Sequence, residues 1–231
     1  KKQAIKVDLA AASLSLPWIG WSKGAGVPAR VSFDLVVNGE ENLVRNLQLG
    51  GDGFGANGNL TFNKGNLVLA ELSRVQLSPG DDFGVTMRSG KAGFDLAING
   101  KRLDARHVIR KLKTEYEGEK AAAGAAKGGA FVATINVDTL AGFNDEVLTS
   151  VTARYATRGG AANAVDFRGV TESGQAIVSQ MLKDNRNTVS ITSGDAGALA
   201  RFIDLYKNMN GGRRHLRLAA PDAESWSGPV D

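Results

Sequence analysis

The chain has 231 residues, 42% hydrophobic and 23% charged, proportions that belong to a folded globular protein and exclude a disordered one. It has no cysteine, which excludes a disulfide framework, a thiolate nucleophile and a cysteine-ligated metal, and no apolar run is long enough to cross a bilayer as a helix. The formal charge is +4, from 28 basic and 24 acidic side chains, a balance that permits contact with anionic lipid or nucleic acid without requiring either.

Lys1 and Lys2 run straight into alternation rather than into an apolar leader, so no secretory signal is expected here. Period-two alternation, the mark of strands with one buried face, starts at Ile5, Val7 and Leu9 and returns at Leu14 and Leu16. Val31, Phe33 and Leu35 then alternate with Ser32 and Asp34, and Asn38-Gly39 supplies a hairpin turn. Leu43, Leu47 and Leu49 form the return strand, followed by a glycine-rich reversal at 50–58 and a strand at 60–62. Leu67, Leu69, Leu72, Val75 and Leu77 continue the pattern less cleanly, then Phe83, Val85 and Met87 are answered by Phe94, Leu96 and Ile98. The expectation is a meander of antiparallel strands. Glycine, 29 of 231 residues and nearly double the usual ~7%, fits its turns and bulges.

One helix interrupts the meander. Asp104 is its expected N-cap; Ala105, Val108, Ile109 and Leu112 recur at helical spacing, with Arg106, Arg110, Lys111 and Lys113 on the other face. The face reads as a solvated basic surface over a sheet, or as cations that meet anionic head groups. Residues 115–130 lose periodicity and turn Ala/Gly/Lys-rich, a flexible loop or linker. Strands resume at Phe131, Ala133, Ile135 and Val137, at 148–155, at Val165 and Phe167, and at Ile177 to Ile191. A second helix is expected from Asp195 to about Met209, with Leu199, Phe202, Ile203 and Tyr206 as its apolar stripe and Gly211-Gly212 as its cap. Leu216 and Leu218 open a short strand, and 226–230 reads as another. Asp104, Ala105 and Arg110 match Asp195, Ala196 and Arg201 at a constant offset of 195 − 104 = 91, a hint of a duplicated meander-plus-helix unit. The domain reading is therefore 1–114, a linker at 115–130, and 131–231 as a second unit continuous with the first sheet and cut short at its end.

Motifs for chemistry are sparse. Gly53, Gly55 and Gly58 fit G-x-G-x-x-G, but a strand follows where a dinucleotide site needs a helix. Asp52 and Asn57 make one faint copy of a calcium-binding glycine repeat. His107 and His215 are far apart and are expected as exposed members of basic clusters. Asp81-Asp82 after Pro79-Gly80, and Asp145-Glu146, read as solvated turns rather than a paired-acid site. The triplet Asn59-Leu60-Thr61 is given no role. The basic helix and 213–217 could meet nucleic acid, but aromatics are only 6% of residues, and Phe33, Phe62 and Phe94 share the buried parity rather than stacking outward. No enzyme, no cofactor, no metal and no nucleic-acid partner are expected.

The stretch Leu16-Pro17-Trp18-Ile19-Gly20-Trp21-Ser22-Lys23, with Gly26-Val27-Pro28-Ala29, resembles a segment of the large bacterial AsmA-like proteins of the YhdP-like branch. So do Gly51-Asp52-Gly53-Phe54 and, most specifically, Asp195-Ala196-Gly197-Ala198-Leu199 through Arg201-Phe202-Ile203-Asp204-Leu205-Tyr206 to Met209 and Gly211-Gly212, with Trp226-Ser227-Gly228 beyond. Residues 115–130 match nothing in that family. The resemblance implies an internal fragment of a much longer protein, without that protein's N-terminal membrane anchor. It implies a periplasmic setting, tethered to the inner membrane, and lipid transport between inner and outer membranes in the service of envelope integrity. It also implies a long curled antiparallel sheet, a taco-like β-groove, each half a β-meander closed by an amphipathic helix. The implied partners are a phospholipid or other acyl-chain lipid, the remainder of the same large chain, and envelope proteins.

Strand parity alone supplies the lipid-groove candidates: Phe33, Leu35, Phe62, Phe83, Val85, Phe94, Leu96, Ile98, Ile135, Val137, Val165 and Phe167. Acyl chains need a continuous apolar lining and no catalytic group. The alternative is that the same residues form a closed core and the chain is a structural or assembly domain acting through protein contacts in outer-membrane biogenesis. A polysaccharide- or nucleic-acid-binding domain would instead place its aromatics on the exposed face.

Overall fold

A computed structural model describes residues 2–16, 19–90, 93–117, 130–158, 161–182 and 188–219. The chain is mainly β, 66% strand, with two short helices and a large mixed sheet that does not close into a barrel. The strands in chain order are β1 (Lys2–Asp8), β2 (Leu14–Leu16), β3 (Trp21–Lys23), β4 (Ala29–Asn38), β5 (Glu41–Gly51), β6 (Gly55–Asn63), β7 (Asn66–Gln76), β8 (Asp82–Gly90) and β9 (Gly93–Asp104). Helix α1 (Arg106–Glu117) follows, then β10 (Ala130–Ala141), β11 (Val147–Arg158), β12 (Ala161–Val170), β13 (Ala176–Met181), β14 (Thr188–Ser193), α2 (Ala196–Phe202) and β15 (Arg214–Ala219). Among the described residues, β1 and β4 to β15 form one sheet, with β1 beside β4 and every later strand beside its predecessor, while β2 and β3 pair separately. Strands from both sides of the 115–130 stretch thus share one sheet.

That sheet is not wholly antiparallel, as the sequence leads one to expect. β9 and β10 run parallel, with Phe94 opposite Phe131, Ile98 opposite Ile135 and Leu103 opposite Leu140. The reason is the connection: a chain that leaves β9 through a helix returns to the starting end of the sheet, and a crossover of that length makes the next strand parallel.

Every second strand from β5 to β11 carries a slip in register. The extra residue lies between Val44 and Leu47 in β5, between Leu72 and Val75 in β7, at the end of β9, and between Thr149 and Thr152 in β11. Asn46 and Ser150, at φ 54° and 52°, sit in two of these bulges, and each such insertion bends its strand and adds right-handed twist. Opposite the β7 bulge stands Gly58, where a Cβ would lie 2.1 Å from the carbonyl oxygen of Glu71. Only glycine lets the two backbones approach so closely.

Two apolar clusters cover parts of the sheet. Val137, Leu140, Leu148, Val151, Ile177 and Phe202 form the larger, to which α1 adds Ile109 and α2 adds Leu199. The smaller joins Trp21, Ala29 and Phe54 beneath the β2–β3 hairpin, with the Trp21 and Phe54 rings edge to face at 5.3 Å and the indole N–H donating to the Leu77 carbonyl at 2.8 Å.

The second helix is shorter than its sequence suggests. Asp195 caps it, its carboxylate accepting from the Ala198 N–H at 2.9 Å, as expected. It ends at Phe202, however, because Asp204 turns left-handed at φ 56°. The Asp204 N–H then donates to the Arg201 carbonyl and the Leu205 N–H to the Ala200 carbonyl, the paired bonds of a Schellman cap with Asp204 where glycine is usual. Tyr206 consequently leaves the apolar stripe, and it and Leu205 are 63% and 58% exposed. Gly211 and Gly212 do not cap the helix end; their carbonyls accept from Gly197 and Ala196 at its beginning. The strand expected at 226–230 and most of the expected linker, 118–129, lie outside the described residues.

Candidate functional site

Direct pairings carry one row of residues across nine strands without a break. Leu35 faces Val44, Val44 faces Leu60, Leu60 faces Ala70, and Ala70 faces Met87. Met87 faces Leu96, Leu96 faces Ala133, Ala133 faces Tyr155, and Tyr155 faces Val165. A row of nine strands spaced 4.7–4.9 Å apart runs about 38 Å across the sheet. Beside it runs a second row in which Val85 faces Ile98, Ile98 faces Ile135, Ile135 faces Ala153 and Ala153 faces Phe167. Because side chains alternate between faces, Phe33 and Leu35 share a face, as do Phe62 and Leu60, Phe83 and Val85, Phe94 and Leu96, and Ile135 and Val137. Register and alternation together place all twelve parity candidates on one face.

They are not equally accessible. Phe83 and Val137 are sealed, at 4% and 2% exposure, and Ile135 and Phe167 pack at the margin of the larger cluster. Phe94, which parity makes a buried residue, is instead 42% exposed, because its row lies beyond the reach of α1 and α2. Next to it, the Phe131 and Tyr155 rings stand 6.4 Å apart, with Tyr155 44% exposed and its hydroxyl pushed up in pKa by burial. Phe33, Leu35, Phe62, Val85, Leu96, Ile98 and Val165 are half-buried. The face therefore grades from a packed border under the helices to an apolar strip open to solvent.

The opposite face is mixed, with charged and amide side chains among Val36, Leu43, Ala97 and Val132. A depression of about 480 Å³ lies among Lys2, Asp34, Arg45, Asn46, Asn59 and Glu71, on the side to which Asp34 points between Phe33 and Leu35. Asp34 bonds Lys2 at 3.2 Å and the Asn46 amide at 2.8 Å, and the Asn46 bond foremost, then Lys2, lowers its pKa. A smaller depression of about 190 Å³ on the same side includes Thr86, Arg88, Asp95 and Thr134.

Two buried polar groups escape sequence reasoning. Asp81 is 4% exposed rather than solvated. Pro79 and Gly80 (φ 90°) make a turn in which the Asp81 N–H reaches the Ser78 carbonyl at 3.1 Å. The Asp81 carboxylate then accepts from the N–H groups of Leu77, Ser78 and Asp104. Burial raises its pKa against those three bonds. Asp104 is pushed up by burial too, but its bonds to Arg106, the closest at 2.5 Å, outweigh that and leave it lowered. A Ser-Pro-Gly-Asp run is the local signal for such a self-bonded turn. Lys23 is also 4% exposed, its ammonium donating to the carbonyls of Leu9 and Ala12, both at 2.6 Å; nothing in its neighbours along the chain announces this.

His107 is half-buried rather than exposed, with Nε2 3.1 Å from the Ser78 hydroxyl. Its Nδ1 is buried without a partner, so no carboxylate orients the ring, and Ser78 is itself 4% exposed. This is not the geometry of an activated nucleophile. Gly53 lies in a turn and Gly55 and Gly58 in β6, followed by β7 and not by a helix N-terminus. Among the described residues there is no group of three or more metal-ligating side chains and no helix long and apolar enough to cross a membrane. Comparison with protein families, with curated proteins and with solved structures finds no match to this chain.

Proposed function

We propose that this chain is a non-enzymatic segment of a lipid-transfer protein of the AsmA-like, YhdP-like kind, which holds phospholipid or another acyl-chain lipid against one face of its sheet. The observation that carries the reading is the unbroken apolar row from Leu35 to Val165, crossed by no charged side chain and half open to solvent except at Val44 and Ala70, which are 8% and 5% exposed. An acyl chain laid along it gains about 0.8 kcal/mol per methylene taken from water. The row runs across the strands, so further strands would lengthen the path without changing its chemistry. A curled, groove-like sheet is favoured by its size, since open twisted sheets beyond roughly ten strands curl or flatten, and by the bulges in β5, β7, β9, β11 and β12. The helices, each packed at the border of the face, would serve as one wall. The periplasmic setting, the inner-membrane tether and the remainder of a longer chain rest on the motif resemblance. A scaffold acting through envelope-protein contacts is the second reading, favoured by the sealing of Phe83 and Val137.

The test places a photo-crosslinking residue singly at Leu35, Leu96 and Phe94, with Asp34 and Thr86 on the opposite face as controls, in the longest form of the protein expressed in cells. Lipid adducts at the first three positions and none at the controls are expected. Adducts equal on both faces, or none on either with crosslinking to protein intact, would leave the scaffold reading in place.

A further inference from the structure

Residues 205–219 contain Lys207, Arg213, Arg214 and Arg217 and not one Asp or Glu, so this run alone carries four positive charges, as many as the +4 net of the whole chain. All of 205–215 is exposed except Met209. Leu205 and Tyr206, at 58% and 63%, are the most exposed large hydrophobic residues among those described.

This turn is held in place from several sides. The Schellman bonds fix 204 and 205 to α2, the Arg201 guanidinium donates to the Met209 carbonyl and to the Asn210 side chain, and the Gly211 and Gly212 carbonyls grip the start of the helix. Lys113 of α1 donates to the Asp204 carbonyl at 2.6 Å, which brings the basic helix alongside; there Arg110 lies over the Phe143 ring at 5.7 Å. A leucine and a tyrosine are thus kept out of the core by a well-bonded turn, next to Lys207, Arg213 and Arg214, with Asp204 as the acid at its start, already paired with Lys113 at 3.5 Å.

We infer that the 205–215 turn docks onto an anionic lipid surface, Leu205 and Tyr206 entering the boundary between head groups and acyl chains while Lys207, Arg213 and Arg214 meet the lipid phosphates. The combination selects the partner. Cations alone would suit nucleic acid, but beside an exposed tyrosine the exposed Leu205 gains most where it can leave water altogether, which an acyl boundary offers and a phosphate backbone does not. Apolar residues alone would suit a protein groove, but a groove does not call for four cations in a run of fifteen residues that holds no acid. A bilayer with acidic head groups satisfies both, with tyrosine at the interfacial depth it prefers and each nearby cation adding about 1 kcal/mol. The inference does not depend on the apolar row holding lipid.

The experiment is co-sedimentation of the full chain with vesicles of equal parts phosphatidylglycerol and phosphatidylcholine, and with vesicles of phosphatidylcholine alone. Binding to the first only, weakened by salt, is expected. The triple variant Lys207→Glu, Arg213→Glu, Arg214→Glu should lose roughly a hundredfold in affinity or more, by three contributions of about 1 kcal/mol each, and Leu205→Ser with Tyr206→Ser should weaken binding at every salt concentration. Circular dichroism and the urea midpoint verify that the variants fold. In a Tyr206→Trp protein, emission should shift to the blue with anionic vesicles only. Equal binding to both vesicles, unchanged binding by the folded variants, or binding to single-stranded DNA but to neither vesicle would overturn the inference.

Discussion

Asp81 Oδ1 accepts the backbone N–H of Asp104 at 2.8 Å, tying the turn before β8 to the end of β9, where α1 begins. Its other oxygen holds Leu77 and Ser78 at 3.1 and 2.7 Å, so one carboxylate satisfies three N–H donors. Asp81→Ala strands those donors, and at 1–3 kcal/mol for each buried unsatisfied group, softened by entering water, the loss should be about 3 kcal/mol. Asp81→Asn should rescue only part of it, since the amide turns a donor toward one of the three N–H groups. Urea unfolding of the two variants decides the matter; stability within experimental error of the parent would show that the turn does not rely on this side chain.

Lys23 performs the converse task, filling a pocket of carbonyls from the 9–12 turn. Lys23→Met keeps the stem but leaves the Ala12 carbonyl without its donor, and a loss of about 2 kcal/mol is expected from hydrogen bonds to a charged group. Lys23→Arg should not restore it, because a planar guanidinium cannot converge on carbonyls arranged around a point. Full stability of the arginine variant in thermal unfolding would contradict the cage.

Most of the sheet is legible in the sequence, and for a physical reason. One face is apolar and the other carries most of the charged and amide side chains, so Phe33, Leu35, Val85, Leu96 and Ile98 announce both strand and face through parity. The parallel β9–β10 pair is not legible, because strand direction depends on the path of the connection and that stretch carries no periodicity. The end of α2 misleads because Gly211-Gly212 is the stronger local signal, whereas Asp204 takes up the left-handed turn seven residues earlier. Parity also cannot tell an exposed Phe94 from a sealed Phe83, since accessibility depends on which elements lie over each row. Lys23 and Asp81 are hidden for a related reason: their partners come from the fold, and charged residues are by default placed at the surface.

The bulge opposite Gly58 separates steric closeness from backbone strain. Gly58→Ala would set a Cβ 2.1 Å from the Glu71 carbonyl oxygen and 2.7 Å from the Leu72 Cα, so backbone must move and a loss of 3 kcal/mol or more is expected, the upper range for overpacking. Gly65→Ala is the control: φ is 79° and nothing lies within 4 Å, so only the left-handed penalty of about 1 kcal/mol applies. Thermal unfolding should rank the two in that order. Hydrogen exchange should quicken around Leu72 in the first variant alone, and an equal effect in both would mean the β6–β7 approach is looser than the glycine implies.

Asp195 provides a pH signature for the cap of α2. The Ala198 N–H above all, and then the Ser173 hydroxyl, lower its pKa. A carboxyl lowered in the folded chain contributes stability that is present above its unfolded pKa, about 3.9, and is lost as pH falls through the folded value. Asp104 acts in the same direction. Asp81, raised by burial, acts in the opposite one, since its protonation relieves the desolvated charge as pH drops below its folded value. The parent should therefore lose stability on acidification with a slope that Asp195→Asn makes shallower. Asparagine caps about as well as aspartate, while Asp195→Ala should cost about 1 kcal/mol at neutral pH. Urea midpoints from pH 7 down to about pH 3, spanning the carboxylate range, test the sign: parent and asparagine variant should start close together and separate as the solution becomes acidic, with the parent falling faster. Parallel curves would mean that the Asp195 charge plays no part in holding the helix.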